Sequence, residues 1–481
     1  MPYNIVAQRR HPIPRNNCHL TRSSTSLALV LLLLLCPSIS YANDTAAALP
    51  TPSASTESFS QQYTNVTKKI LLAGIELERF SLNFRLESAK QPKFRRLRYF
   101  LTQETGAACG LAFEIVGVNE FGKGRKRPLQ ISKPALHGAL ATAMTGSIIA
   151  GSGSCFELGA NMVQSIKNKR NGFDSKAANK FVVSKLKLID ELLSQREALV
   201  ASHSDLPGQE RAVIEGRLLR QMRNAFTNEY SHFNADTRSY LAFQNMFYLL
   251  NASYNAVGAV GAGVAYKAVD TPKLNGPANI LFIVSGGMAS VAPLLSSAVS
   301  KIVRKRAEDT LEKELNGKPD FDAAAFEAEC KKLEGLPLIS EGTMIPSLPA
   351  TQRLALYTQS SDLFRKQIDS ETKTMRKLEK VALQTGLLGP LIGGQLMTQG
   401  ILGTRGYYKY TLRPRKQISQ YYYGSIIGTV GTSMAVVGNA AWLLSSFSYE
   451  QRLAKKKQLP VQLINARLGH LEETEKIVRA L

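Results

Sequence analysis

A glycine-framed stretch, Gly117-Val-Asn-Glu-Phe-Gly122-Lys123-Gly124, comes within one residue of the loop that cradles nucleotide phosphates. In that loop backbone N–H groups close on the phosphates, and a hydroxyl after the lysine holds magnesium. Here Gly124 stands at the hydroxyl position, and Arg125-Lys-Arg-Pro128 is a poor start for the helix that must follow. The stretch therefore reads as a basic turn at an interface. Ser152 and Ser154, in Gly151-Ser-Gly-Ser-Cys155, are of a type that acts as a nucleophile. No strand precedes them and no acid–base pair can be assigned to them, so helix packing is the better use. The six histidines are dispersed. Cys109, Cys155 and Cys330, the cysteines beyond the N-terminal segment, form neither a ligand spacing nor a disulfide framework. No catalytic residue, cofactor or metal is expected, and the chain reads as a non-enzyme.

Polar side chains inside apolar stretches carry the next signal. Gln244, Tyr248, Asn251, Asn255 and Gly258 fall on one helical face, and Gln384, Gln395 and Gln399 share another. Neutral amides in such places either bond across a helix interface or line a water-filled path. No Asp, Glu, Lys or Arg interrupts the clearest apolar segments, which argues against proton- or ion-coupled transport. Arg405, Lys409, Arg413, Arg415 and Lys416 lie among Tyr407, Tyr408, Tyr410 and Tyr421 to Tyr423. Basic residues beside tyrosines at the end of a spanning helix contact lipid headgroups, anionic ones above all.

These residues need membrane helices to position them. Five segments of twenty or more residues with little charge recur, at 135–156, 241–266, 278–299, 381–402 and 424–447. Each is long enough to cross a hydrocarbon core of about 30 Å. Small residues replace Leu at many positions. Gly138, Thr142, Gly146, Ala150 and Ser154 fall four apart, Gly389 and Gly393 repeat the spacing, and so do Gly424, Gly428 and Thr432. Such rows let helix backbones approach closely. The segment 99–118 is also long enough to span but carries Glu104 and Glu114. Ionised carboxylates are costly in hydrocarbon, so an interfacial or re-entrant helix is expected there.

Arg9, Arg10, Arg15 and Arg22 precede a short Leu-rich run, and Ser40-Tyr41-Ala42 offers a cleavage site, so residues 1–42 read as a signal peptide. A flexible linker is expected over 43–62 and an amphipathic, interfacial helical region over 63–134. Span–hairpin–span units follow over 135–266 and 277–402. A basic aromatic loop and last span occupy 403–447, and a charged helix ends the chain over 448–481. The charged stretches 158–240 and 300–380 read as two helical hairpins standing off the membrane. The basic runs 165–170 and 301–306 fit a duplication of the two halves. With residue 43 exported and five passes, both hairpins and the C-terminus fall inside. The loop 405–416 then falls outside, against the positive-inside rule.

The net charge of +23 alone would fit nucleic acid. The basic runs mostly abut apolar segments, however, which assigns them to anionic lipid and leaves no role for nucleic acid. The fold expected is therefore all-α: a multi-pass helical membrane protein with about five transmembrane helices after a signal peptide and two extramembrane hairpins, exported to a bacterial inner or internal membrane. The function expected is a non-enzymatic organiser or scaffold whose hairpins self-associate or recruit protein partners. The alternative is a passive channel or transporter lined by Gln244, Asn251 and Asn255 and by Gln384, Gln395 and Gln399.

Overall fold

The computed structural model describes residues 59–89, 95–202, 209–315, 317, 321–336, 353, 355–357, 360 and 390–480, all within one compact unit. Every regular element among them is a helix. The signal peptide, most of the linker, Gln384, Gly389 and much of the second charged stretch lie outside the described residues. In chain order the helices are α1 (Phe59–Ala89), α2 (Arg95–Lys126), α3 (Lys133–Arg170), α4 (Ser175–Ala201), α5 (Gln209–Ala268), α6 (Asn275–Glu314), α7 (Ala323–Gly335), α8 (390–409), α9 (Pro414–Lys455) and α10 (Pro460–Ala480).

Local chemistry sets the helix ends. The Ser132 hydroxyl accepts the Ala135 N–H at 3.4 Å and Pro134 occupies the first turn, which starts α3. Asp174 caps α4 in the same way, accepting from the Ala177 N–H at 2.6 Å. Between them Gly172 adopts φ +73°, a left-handed conformation that costs glycine little, and the chain reverses.

Six helices close into a ring in the order α2, α3, α5, α6, α8, α9, and α9 returns to α2. Every neighbour pair is antiparallel. Gly106 meets Gly146 and Gly153 meets Thr102 across α2 and α3, whereas Gly117 meets Ser425 and Gly110 meets Thr432 across α2 and α9. Only the second half of α5 and the first part of α6 belong to the ring. The remainder of these helices, 60 and 40 residues long respectively, extends beyond it. At 1.5 Å per residue α5 runs about 90 Å, enough to serve two layers.

The second layer is a lobe. One apolar core joins Ile70, Leu77, Leu82 and Phe84 of α1 to Val182, Leu186 and Ile189 of α4 and to Ile214 and Leu218 of α5. The same core includes Leu311 of α6, Phe326 and Leu333 of α7, Tyr357, and Ile464 and Val478 of α10. Two readings of the sequence change here. The charged stretches are not separate hairpins, because both contribute to this one core. Nor does α1 lie on a surface. It is buried on several sides, with Ile70, Leu71, Ala73, Ile75, Leu77, Glu78, Ser81, Leu82, Phe84 and Arg85 all enclosed.

Among the described residues three helices are long and apolar enough to cross a membrane, fewer than the five expected: α3, within Lys133–Ala201, α6, within Pro272–Glu314, and α9, Pro414–Lys455. The 241–266 half of α5 carries Gln244, Asn245, Asn251 and Asn255, which lower its mean hydropathy. Residues 381–389 of the other missing segment lie outside the described residues. Exposed large apolar side chains concentrate on the ring, among them Leu101, Ile115, Ile148, Val163, Leu249, Val284, Val291, Leu294 and Val437. By contrast, α1, α4, α7 and α10 expose only Leu188, Val461 and Ile477 among their described residues.

Candidate functional site

The functional candidates divide between the interior of the ring and the interior of the lobe. In the ring, α2 holds the polar groups together. The Asn251 amide donates to the Tyr99 hydroxyl at 2.8 Å and to Gln103 Oε1 at 3.3 Å, and Asn255 Nδ2 donates to Asn251 Oδ1 at 2.6 Å. Gln103 also donates to the backbone carbonyl of Ala150 on α3 at 2.9 Å. Eleven residues beyond Gln103 along α2, Glu114 Oε2 accepts from Gln399 Nε2 of α8 at 2.9 Å. Among the described residues the two amide stripes on α5 and α8 are thus not bonded to each other, and each is bonded to α2. Gln244 stands apart and donates to the Tyr240 hydroxyl at 2.7 Å, while Gln395 reaches Met434 Sδ at 3.8 Å.

At the lobe end of the ring the buried Glu157 accepts from Arg95 Nε at 2.7 Å and from Arg98 Nη2 at 2.6 Å, and Asn161 joins α3 to Asn245 at 2.6 Å. At the far end Arg405, Lys409, Arg413, Arg415 and Lys416 are all exposed, and the Arg125 guanidinium lies 4.7 Å from the centre of the Tyr422 ring. The glycine-framed stretch 117–124 is no turn. It continues α2, and its glycines admit neighbours: Ser425 beside Gly117, and Ile131 and Ile418 beside Gly124. Ser154 is buried in α3 and donates to the Ala150 carbonyl at 3.2 Å.

The glycines picked out by spacing differ in surroundings. A methyl group added at Gly146 would strike Cys109, one at Gly393 would strike Ser290, and one at Gly424 would press on Gln399. Gly428 stands against the Glu114 carboxyl. Ala150 is buried and lies against Gly106. Gly138 faces open space. Close approaches also occur at Gly106, Gly286 and Gly400, which the spacing argument passed over. The polar row on α2 was legible in principle. Tyr99, Gln103, Gly106, Gly110, Glu114 and Gly117 recur at three- and four-residue steps, as one helix face requires.

The lobe buries two ionic clusters. Glu215 accepts from Arg353 Nε at 2.6 Å, from the Tyr357 hydroxyl at 2.8 Å, from Arg196 Nη2 at 3.1 Å and from the Tyr63 hydroxyl. Burial works to raise its pKa, but the Arg353 and Arg196 charges prevail and hold it down to about 2. In the second cluster Arg467 bonds Glu229 at 2.6 Å and Glu78 at 3.0 Å, and Arg85 bonds Glu229 at 2.6 Å. Burial pushes Glu229 up as well, but Arg467 and Arg85 outweigh it and bring Glu229 down to about 2. Burial dominates at Glu78 and raises its carboxyl.

These clusters tie α1, α4, α5, α10 and the segment at 353–357 together, and all of their carboxylates are engaged by arginine. No group of three or more His, Cys, Asp or Glu among the described residues is placed to share a metal ion. No protein family matches the chain, and comparison with curated proteins and with solved structures returns no significant match.

Proposed function

We propose that this protein is a non-catalytic membrane organiser in which the ring spans the bilayer with all six helices and the lobe serves as an assembly platform on one face. The observation that carries the reading is the division of surfaces. The ring turns apolar side chains outward and bonds Asn251 and Asn255 inward, while the lobe turns charge outward around a core of its own. Exposed apolar residues on α6 run from Ile280 to Ile302. At 1.5 Å per residue that band is about 33 Å tall, close to a bilayer's hydrocarbon thickness.

Six alternating passes supply a topology. The lobe, with both α1 and α10, stands on one side, and the short connections 127–132, 269–274 and 410–413 stand on the other. Residues 119–137, 267–275 and 404–417 at those connections carry twelve Lys and Arg against Glu120 and Asp270. Short basic loops remain on the cytoplasmic side of an inner membrane, where they meet anionic headgroups. A cleaved signal at residue 42 then exports the lobe, and 405–416 obeys the rule that a five-pass arrangement made it break.

A channel needs polar groups free to meet a permeant, whereas Asn251 and Asn255 are occupied by Tyr99, Gln103 and each other. Purified protein in liposomes loaded with a small polar fluorophore discriminates the two. The organiser reading expects no efflux above protein-free liposomes, and expects lobe-to-lobe or lobe-to-partner cross-links in native membranes. Efflux that stops in a folded Asn251→Leu, Asn255→Leu double variant would replace the organiser by a channel.

A further inference from the structure

Among the described residues no cation answers the buried carboxyl of Glu114. It is only 3% exposed, on the ring's inner side at the junction of α2, α8 and α9. Along α2 the next charged residues are Glu104 on one side and Glu120 with Lys123 on the other, and Lys123 is engaged by Glu120 at 2.6 Å. The facing part of α8 offers Gln395 and Gln399, and the facing part of α9 offers Ser425, Gly428 and Thr432. All are neutral, and neither helix carries a charge within 391–404 or 417–449. In this setting an ionised carboxylate would be both desolvated and unpaired, the arrangement that folded proteins avoid.

The hydrogen bonds point the same way. Gln399 Nε2 donates to Glu114 Oε2 at 2.9 Å, and Ser425 lies within bonding reach of the same carboxyl. The other end of that amide, Gln399 Oε1, is buried and receives no donor among the described residues. A proton on Glu114 supplies one from within the pair, closing the two-bond figure in which an acid and an amide each donate once. Space for the carboxyl is built in, since a Cβ at residue 428 would overlap its atoms and residue 428 is glycine.

We propose that Glu114 is a proton-binding site: it is held as the neutral acid against the Gln399 amide, and release of its proton loosens α2 from α8 and α9. The inference stands on the ring's own packing, whichever function the lobe serves. Infrared difference titration of the full chain in nanodiscs tests it. The expected result is a protonated-carboxyl band at neutral pH that disappears on alkaline titration and is missing from Glu114→Gln. Glu104→Gln should retain the band. Should Glu114→Gln fail to fold, the wild type alone suffices: dicyclohexylcarbodiimide adds to protonated, buried carboxylic acids, and mass mapping should place the adduct on Glu114 at neutral pH and lose it at alkaline pH. A carboxylate spectrum at neutral pH, or no adduct on Glu114, overturns the proposal.

Discussion

Replacing Glu215 by glutamine should unlock the lobe. The carboxylate meets Arg196, Arg353, Tyr63 and Tyr357 in a fully enclosed pocket, and its pKa falls from the ordinary 4.5 to about 2. At roughly 1.4 kcal/mol per pKa unit, this corresponds to about 3 kcal/mol of stability at neutral pH. Because the folded-state pKa is lowered, that contribution is complete above the unfolded value of 4.5 and is lost as pH falls toward 2. Glu215→Gln also leaves two buried guanidinium groups uncompensated, a change that costs about 3–5 kcal/mol. Hydrogen exchange of peptides from α1 and α4 reads this directly, because about 1.4 kcal/mol is a tenfold change in opening. Exchange in the variant should accelerate by about two to four orders of magnitude at pH 7. The difference from wild type should shrink as wild type is acidified below 4.5. Unchanged protection in Glu215→Gln, or wild-type protection that is flat on acidification, would show that the cluster does not hold the lobe together.

Other outcomes follow from the ring. Gly393→Ala drives a Cβ into the backbone of α6 at Ser290, so the folded yield in detergent should collapse, whereas Gly394→Ala, whose Cβ meets nothing within 4 Å, should be tolerated. Gly146→Val should destabilise by about 1–3 kcal/mol through collision with Cys109. Gly138→Ala, open on all sides, should be neutral or gain up to about 1 kcal/mol of helix propensity, so their thermal midpoints should move in opposite directions. Converting Arg413, Arg415 and Lys416 to serine removes exposed charge and no packing, so co-purified anionic lipid should fall while the melting temperature stays unchanged.

The sequence was easiest to read where one physical demand acted alone. Uncharged runs such as 278–299 have to be long helices, and they are. Reading failed where two demands overlapped. The apolar rhythm of α1 gave an amphipathic helix, but not that its other sides would be covered too. The partners that bury its Glu78 and Arg85, Arg467 and Glu229, are distant in sequence, 389 residues away in the case of Glu78 and Arg467. The same long-range pairing hid the merger of the two charged stretches into one lobe, since Glu215 and Arg353 belong one to each. For α2, the cost assigned to an ionised Glu114 gave an interfacial or re-entrant helix, and the structure packs that helix between α3 and α9. The helix fits because Gln399 and Gly428 accommodate that side chain, and neither is adjacent to it in sequence.

Six passes fix which side of the membrane each connection occupies. In a chain whose native cysteines are replaced by serine, single cysteines at Leu129, Thr271 and Thr411 mark the three short connections, and cysteines at Lys332 and Lys476 mark the lobe; all five positions are solvent-exposed. Labelling of intact cells with a membrane-impermeant maleimide should modify the two lobe positions and spare the three connections until the membrane is breached. Reaction at Thr271 and Thr411 from opposite sides, or at Lys332 and Thr411 from the same side, would contradict the six-pass ring.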